Sequence, residues 1–115
     1  MITSTSNQRI KELSQIQKKS KVRSREGVFV AEGIRMVRET PYERLVSLYF
    51  SESFEKKYGN EVLDAISGGD LKIREQIRRK TEILSDAVFS YVSDTKTPQG
   101  VLAVVHQMEY TLGQM

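Results

Sequence analysis

The amino-acid sequence predicts an α/β fold in which helices cover both faces of a mainly parallel or mixed β-sheet. Two apolar runs without alternation, residues 28–31 (VFVA) and 101–105 (VLAVV), are typical of strands that are buried on both faces. Segments with apolar residues at helical spacing alternate with such runs along the chain. Strands that alternate with helices favour a three-layer sandwich with the sheet in the middle.

Length and composition favour a single soluble domain. The chain has 115 residues, a net charge of +3 and no cysteine. One core can form at this length. The missing cysteines exclude a disulfide framework, a thiolate zinc site and a cysteine nucleophile. Neither a signal-peptide pattern nor an apolar stretch of about 18 residues is present, so we expect a cytoplasmic protein that does not bind a membrane.

The first predicted element is a basic helix. Thr5 and Gln8 match the spacing of a capping box, and a narrow apolar stripe follows on a helix that ends near Lys19. The stripe consists of Ile10, Leu13 and Ile16. We expect residues 20–27 (SKVRSREG) to form a basic loop.

The next three elements form a predicted βαβ unit. The continuous apolar run at residues 28–31 predicts a strand in the centre of the sheet. A short helix at 34–38 ends before Pro41, because proline cannot continue a helix, and a second strand follows at 45–50.

The remaining elements are predicted by apolar spacing and by capping residues. Apolar side chains at helical spacing predict a helix at 53–66, and Asp70 is positioned to cap another helix. The order ends with four further predicted elements: a short strand at 81–84, a helix from Ser85 or Asp86, a polar loop at 94–100 and the strand at 101–105.

The basic charge is concentrated in two segments. Residues 1–25 hold seven basic residues against Glu12 alone, a local charge of +6, whereas the remainder carries −3. A second basic cluster consists of Lys72, Arg74, Arg78, Arg79 and Lys80. Basic clusters on an acidic body favour docking on a polyanion, although solvated helix faces explain the same composition.

The sequence contains no recognisable catalytic or metal-binding constellation. His106 is the single histidine and has no acidic pair nearby in sequence, and Gly68-Gly69 ends a helix instead of opening a phosphate loop. Two segments remain of interest: residues 32–35 (EGIR) at a strand-to-helix turn and residues 95–100 (TKTPQG) before a buried strand. The first can hold a basic side chain or form a turn; the second can contact phosphate and 2′-hydroxyl oxygens or be a turn without function.

Taken in order, these segments resemble the N-terminal substrate-binding domain of the SpoU (TrmH-like) family of RNA 2′-O-ribose methyltransferases. The resemblance covers nearly the whole chain. It rests on residues 3–13, the basic run to Arg23, residues 27–33 (GVFVAEG) with Arg35 and Val37, and residues 89–105 around TPQGVLAVV.

The resemblance implies an α/β/α sandwich like that of ribosomal proteins that bind kink-turn RNA. It implies that residues 1–106 grip RNA and that residues 107–115 begin a linker to an absent knotted domain. In the family that domain binds S-adenosylmethionine, transfers the methyl group and forms the homodimer. We therefore expect a chain without a cofactor and without activity alone, whose partner is RNA, either ribosomal RNA or transfer RNA.

The resemblance and the charge pattern together nominate RNA-binding residues. The family pattern points to Asn7, Lys11, Arg23, Glu32, Arg35 and Gln99, and charge adds Arg9, Lys18, Lys19, Lys21 and Arg25. Thr97 is added as a ribose contact, and Glu32, Gly33 and Gly100 as structural support; no metal ligand is nominated. If the strands at 28–31 and 101–105 are parallel, the loops preceding them lie at the same end of the sheet.

Two other functional classes fit the same features. A stand-alone RNA-binding module of the ribosomal or kink-turn type would use the same basic surface without any catalytic partner. A protein-interaction domain would instead bind through valine, phenylalanine and tyrosine side chains and show no affinity for RNA.

Overall fold

The structure, a computed structural model, describes residues 1–107. Six helices, four strands and a 3₁₀ turn follow one another in these residues. The helices are α1 Gln8–Lys18, α2 Ser20–Glu26, α3 Ile34–Arg38, α4 Glu52–Ser67, α5 Leu71–Arg79 and α6 Asp86–Val92. The strands are β1 Val28–Glu32, β2 Leu45–Ser51, β3 Thr81–Leu84 and β4 Val101–His106, and the 3₁₀ turn is Tyr42–Arg44.

The four strands form a mixed sheet in the order β1-β4-β2-β3. β4 is antiparallel to both of its neighbours, and β2 is parallel to β3. The predicted mixed sheet is confirmed, and so is the central position of the strand at 101–105. β1 and β2 run in the same direction, as in the predicted βαβ unit. They are not neighbours in the sheet, because β4 lies between them.

The prediction that residues 28–31 form a central strand is wrong, because β1 is an edge strand. Phe29 keeps 37% of its surface exposed, whereas Val101 to Val105 of β4 are almost wholly buried. The run at 28–31 is apolar because helices cover much of both faces of the sheet out to its edge. An apolar run indicates that both faces of a strand are covered. It does not indicate whether the strand has one or two neighbouring strands in the sheet.

Two apolar clusters, one on each face of the sheet, confirm the three-layer sandwich. α3, α4 and α5 cover one face, and α1 and α6 cover the other. Alternate residues of β4 serve the two clusters: Val101, Ala103 and Val105 point to the first, and Leu102 and Val104 to the second. Both faces of this strand are therefore buried, which explains its uninterrupted apolar sequence.

The N-terminal segment differs from the prediction in two ways. Asn7, rather than Thr5, caps α1, and its side-chain oxygen accepts from the backbone N–H of Arg9 at 2.9 Å. Residues 20–26 form helix α2 instead of a loop, and Gly27 ends it in the left-handed conformation. None of the α2 residues is buried. The helix therefore lacks the apolar stripe by which sequence periodicity detects helices.

The predicted capping residues of the later helices are confirmed. Asp70 accepts from the backbone N–H groups of Lys72 and Ile73, and Ser85 accepts from Val88. Of the predicted linker at 107–115, only Gln107 lies within the described residues. Its backbone N–H donates to the carbonyl of Gly27 at 2.8 Å, so Gln107 stays beside the start of β1.

Candidate nucleic-acid interface

One end of the sheet brings the EGIR turn and the polar loop together. Glu32, the last residue of β1, pairs with Leu102, near the start of β4. The loop that precedes β4 therefore lies beside the turn from β1 into α3. The antiparallel pairing also corrects one expectation: the residues directly before β1 lie at the opposite end of the sheet from the loop before β4.

Glu32 fastens the polar loop to the body of the domain. Its carboxylate accepts from the side chain of Gln17 in α1, from the hydroxyls of Ser93 and Thr95, and from the backbone N–H of Asp94. Each carboxylate oxygen accepts two of these bonds: Oε1 from Gln17 and Asp94, and Oε2 from Ser93 and Thr95. Glu32 forms no ion pair among residues 1–107, so its role is to hold a loop and not a basic side chain.

Gln17 joins the same junction to helix α6. Besides Glu32, its side-chain amide donates to the carbonyl of Val92 at 3.1 Å. The C-terminal ends of α1 and α6 thereby lie together above the end of β1. This contact places the last turn of the basic helix next to the polar loop.

Gln99 closes the loop onto the start of α3. Its side-chain oxygen accepts from the backbone N–H of Ile34 at 2.7 Å. In the part of the chain that the structure describes, its side-chain NH₂ group makes no hydrogen bond. The oxygen of this amide therefore holds the loop on α3, and its NH₂ group remains available to a ligand.

Gly100 allows the loop to enter the sheet. Its backbone has φ 110°, and an added Cβ would lie 2.7 Å from the Cβ of Phe54 and closer still to the Ser51 hydroxyl. The carbonyl of Gly100 accepts from the backbone N–H of Ser51 at 2.7 Å. Both the conformation and the close packing require glycine here.

A groove of about 340 Å³ lies between the polar loop and α3, and we call it the loop groove. It is lined by Glu32, Gly33, Arg35, Met36, Thr95, Thr97 and Gln99. The side chains of Arg35 and Thr97 are exposed, and Arg35 has no ion-pair partner among the described residues. Five residues nominated from the sequence, Glu32, Gly33, Arg35, Thr97 and Gln99, therefore meet in one groove.

A second groove of about 310 Å³ lies between α1 and α6, and we call it the lysine groove. It is lined by Thr5, Lys11, Ser14, Gln15, Lys18, Lys19 and Tyr91. None of the lining residues is acidic. Lys18 places its ammonium nitrogen 4.8 Å from the centre of the Tyr91 ring, a cation–π contact. Three of the nominated lysines thus share a groove with an aromatic ring.

The structure separates the other nominated residues from these grooves. Arg9 forms an ion pair with Glu82 at 2.7 Å, and Asn7 caps α1. Arg23 donates to the backbone carbonyls of Ile16 and Gln17, which are free because they lie in the last turn of α1. Arg25 lies 3.9 Å from Glu26 and lines a groove with His106 at the opposite end of the sheet. Lys21 is exposed.

The second basic cluster is largely engaged by the fold. Arg74 contacts Asp64 and Asn60, and Arg79 lies 3.7 Å from Glu75. Lys80 donates to the carbonyl of Leu45 and lies 5.0 Å from the centre of the Tyr42 ring. α5 also packs on the face opposite the lysine groove. These contacts favour the interpretation of the cluster as a solvated and internally paired helix.

The sequence analysis did not nominate Tyr91 or Gln17, although both shape the interface. Tyr91 was detectable as an aromatic residue off the apolar face of α6, since the buried positions of that helix are Val88, Phe89 and Val92. Gln17 gave no signal, because its two partners are distant in sequence.

Residues 1–107 hold no cluster of metal-ligating side chains. No group of three such residues occurs in this range, and His106 is exposed at the end of β4. No helix in the same range has the length and apolar character required to cross a membrane.

Two ionisable groups near the sheet have shifted pKa values. The side-chain hydroxyl and backbone N–H of Ser53 both donate to Asp86 and lower the pKa of its carboxyl group. Burial raises the pKa of the Tyr49 phenol. Neither residue lines the two grooves, so these shifts concern the fold and not the interface.

Comparison with protein families identifies this domain. The family model described as the MRM3-like substrate binding domain matches residues 7–103. The chain belongs to this family. No curated protein sequence matches the chain.

Three of the solved structures that resemble the chain in fold are methyltransferases. An RNA 2′-O ribose methyltransferase is 27% identical, with a TM-score of 0.62 over 96% of this chain. The AdoMet-bound rRNA methyltransferase from Sinorhizobium meliloti is 18% identical, with a TM-score of 0.67 over 99% of this chain. The SpoU methyltransferase AviRb from Streptomyces viridochromogenes, in complex with AdoMet, is also 18% identical, with a TM-score of 0.59 over 94%.

The chain spans only part of each of these proteins: 39%, 39% and 36% of their respective lengths. The resemblance to the substrate-binding domain of SpoU-type methyltransferases is confirmed by the family match and the shared fold.

Proposed function

We propose that this chain is the RNA-recognition domain of an S-adenosylmethionine-dependent ribosomal RNA 2′-O-ribose methyltransferase. The observation that carries the proposal is the lysine groove: three ammonium groups and an exposed tyrosine, with no acidic residue in the lining. It lies beside the polar loop that Glu32 holds in place. The family match and the names of the structural neighbours support RNA as the substrate class.

The lysine groove supplies most of the electrostatic affinity. Lys11 and Lys18 of α1 and Lys19, which follows the helix, are exposed and line one groove, so they can neutralise successive phosphates of one strand. Lys21 follows them at the start of α2 and adds to the positive electrostatic potential of this surface. Phosphate contacts of this kind position an RNA backbone without reading its sequence.

The loop groove supplies selectivity. The free NH₂ group of Gln99 and the hydroxyl of Thr97 are suited to a ribose 2′-hydroxyl or to an acceptor on a base edge. Arg35 lines the same groove and can bind a phosphate. Asn7, Arg9, Arg23 and Arg25 support or surround the interface instead of contacting RNA.

The methyl transfer and its cofactor belong to the remainder of a longer protein in this proposal. S-adenosylmethionine carries a positive sulfonium, which the three ammonium groups of the lysine groove would repel. The Glu32 carboxylate is occupied by four donors. The grooves described here therefore do not fit the cofactor. We propose that the longer protein is cytoplasmic and forms a homodimer outside this domain.

The proposal is tested by filter binding of ribosomal RNA fragments to the 115-residue chain across a salt series. The triple variant Lys11→Ala, Lys18→Ala, Lys19→Ala should bind every RNA more weakly. Its log–log salt slope should be smaller by about 0.7 to 0.9 for each phosphate that the variant no longer neutralises. Gln99→Ala should lower affinity and leave the slope nearly unchanged.

The matched control removes three exposed lysines from elsewhere on the surface: Lys56→Ala, Lys57→Ala, Lys72→Ala. It carries the same change in net charge, and its lysines lie on the α4 and α5 side of the sheet. Equal losses of affinity in both triple variants would show a non-specific charge effect and contradict the proposal. Transfer RNA is the comparison ligand, and tighter binding of transfer RNA would overturn the ribosomal assignment.

A further inference from the structure

We propose that Tyr91 is a stacking platform for an unpaired nucleobase, and that the lysine groove therefore binds single-stranded RNA in preference to a duplex. This inference rests on the proposed function and specifies the form of RNA that the domain recognises. It assigns a ligand contact to a residue that neither charge nor sequence motif identifies.

The position of Tyr91 in α6 is the first observation. Val88, Phe89 and Val92 fix the helix against the sheet and are almost wholly buried. Tyr91 lies off this apolar face, and 49% of its surface is exposed. A rigid helix therefore presents an aromatic ring to solvent, and the core does not require that ring.

The surroundings of the ring are the second observation. The Lys18 ammonium lies 4.8 Å from the ring centre, and Lys11 and Lys19 line the same groove. Sites for single-stranded nucleic acid combine a cationic path for the backbone with aromatic side chains on which bases stack. The lysine groove places both components within one cavity of about 310 Å³.

Stacking on Tyr91 requires an unpaired base. In a duplex each base is covered on both faces by its neighbours, and the bases of A-form RNA present only their edges in the grooves. A base in a loop, bulge or single strand can leave the stack and lie against the ring. Its phosphates then lie within reach of the lysines. A bound strand would therefore gain affinity both from stacking on Tyr91 and from its contacts with the lysines.

The path of such a strand continues towards the loop groove. Ser93 and Thr95, which bind Glu32, follow Tyr91 by two and four residues. Gln17 fixes the end of α6 beside Glu32. A base on Tyr91 and a ribose at Gln99 would therefore belong to neighbouring parts of the same RNA.

The alternative is that Tyr91 and Lys18 only fasten α6 to α1. The two helices are already joined by the hydrogen bond from Gln17 to Val92 and by the packing of Ile10 and Leu13 in the same cluster as Phe89. A fastening role would appear as a loss of thermal stability without a change in RNA affinity. The two roles therefore have different readouts.

The experiment uses ten-nucleotide RNA carrying 2-aminopurine, an adenine analogue whose fluorescence falls when it stacks. The full chain and its Tyr91 variants are titrated with the single strand and with the blunt duplex of the same sequence. We expect the wild-type chain to quench the single strand and bind it more tightly than the duplex. Tyr91→Ala and Tyr91→Leu should weaken single-strand binding by about 5- to 150-fold, and Tyr91→Phe should retain it.

The matched control is Tyr58→Ala, which removes a tyrosine of similar exposure (45%) from α4 on the opposite face of the sheet. It should leave affinity and quenching unchanged. Thermal denaturation of each variant separates loss of fold from loss of binding. Since Tyr91 is half exposed, we expect the variants to remain folded.

The outcomes separate this inference from the proposed function. If the lysine triple variant loses affinity while Tyr91→Ala and Tyr91→Leu bind both RNAs normally, the domain binds RNA and the stacking inference is wrong. Equal losses of affinity for single strand and duplex also overturn it. If the wild-type chain binds neither RNA, both the inference and the proposed function fail.

Discussion

The side chain of Gln99 packs directly against the backbone of Gly33, although the two residues are 66 positions apart in the sequence. The side-chain oxygen of Gln99 would lie 3.1 Å from a Cβ built on Gly33, and the same oxygen accepts from the next backbone N–H, that of Ile34. The backbone of Gly33 has φ 97° and ψ 153°, a conformation that is essentially restricted to glycine. The turn from β1 into α3 is therefore shaped both by its own backbone and by the loop that lies over it.

Gly33→Ala should lower the free energy of unfolding by about 1–3 kcal/mol, because alanine is strained in this conformation. Gly27→Ala is the matched control. Gly27 also has a positive φ, 67°, but nothing lies within 4 Å of an added Cβ. Urea denaturation should show the larger decrease in stability for Gly33. A double-mutant cycle with Gln99→Ala should give a coupling energy of about 0.5–3 kcal/mol, and additive effects would contradict the contact.

Glu32→Ala should loosen the polar loop. Alanine has no side-chain acceptor, so all four groups that donate to Glu32 lose that partner. Hydrogen exchange at the backbone N–H of Asp94 should accelerate, since this group donates directly to Glu32. The control is Glu12→Ala, an exposed position on α1. Unchanged protection of Asp94 in Glu32→Ala would show that the carboxylate does not hold the loop.

Asp86 should contribute stability that depends on pH. Because Ser53 lowers its pKa in the folded state, the unfolded state binds the proton more readily. The contribution is therefore present above the ordinary aspartate value of about 3.9 and is lost as pH falls through the lower folded value. Ser53→Ala removes the side-chain donor and should raise the pKa of Asp86.

The Asp86 prediction is measured by following the carboxyl carbon in an NMR titration of the wild-type chain and of Ser53→Ala. Ser90→Ala, an exposed position on α6, is the control and should not move the titration. An unchanged pKa in Ser53→Ala would mean that the hydroxyl does not hold the charged form.

The sequence predicted the elements whose signals are local. Asp70 and Ser85 mark helix starts with side chains that cap the helix within three residues, and the run at 101–105 is apolar because β4 is covered on both faces. The position of β1 at the edge was not predictable in this way. It depends on pairing with β4, whose residues lie 70 to 78 positions further along the chain, and apolar periodicity carries no information about pairing partners.

The candidate interface was predictable only in part, for the same reason. Charge and family pattern identified Lys11, Lys18, Lys19 and Gln99, but not which basic side chains the fold itself uses. Arg9 is paired with Glu82, and Arg23 is bound to the end of α1. Sequence spacing does not predict either contact. Tyr91 joins the lysine groove only because α1 and α6 pack together on one face of the sheet.

The most direct test of the central claim is an NMR map of the RNA-binding surface. Backbone amide shifts of the isotopically labelled chain are followed while an unlabelled ribosomal RNA fragment is added. We predict shifts at Lys18, Lys19, Tyr91, residues 95–97 and Gln99, in the lysine groove and the loop groove, with none along α5. Shifts confined to α5, or spread evenly over the basic surface, would contradict an RNA interface formed by the lysine groove and the loop groove.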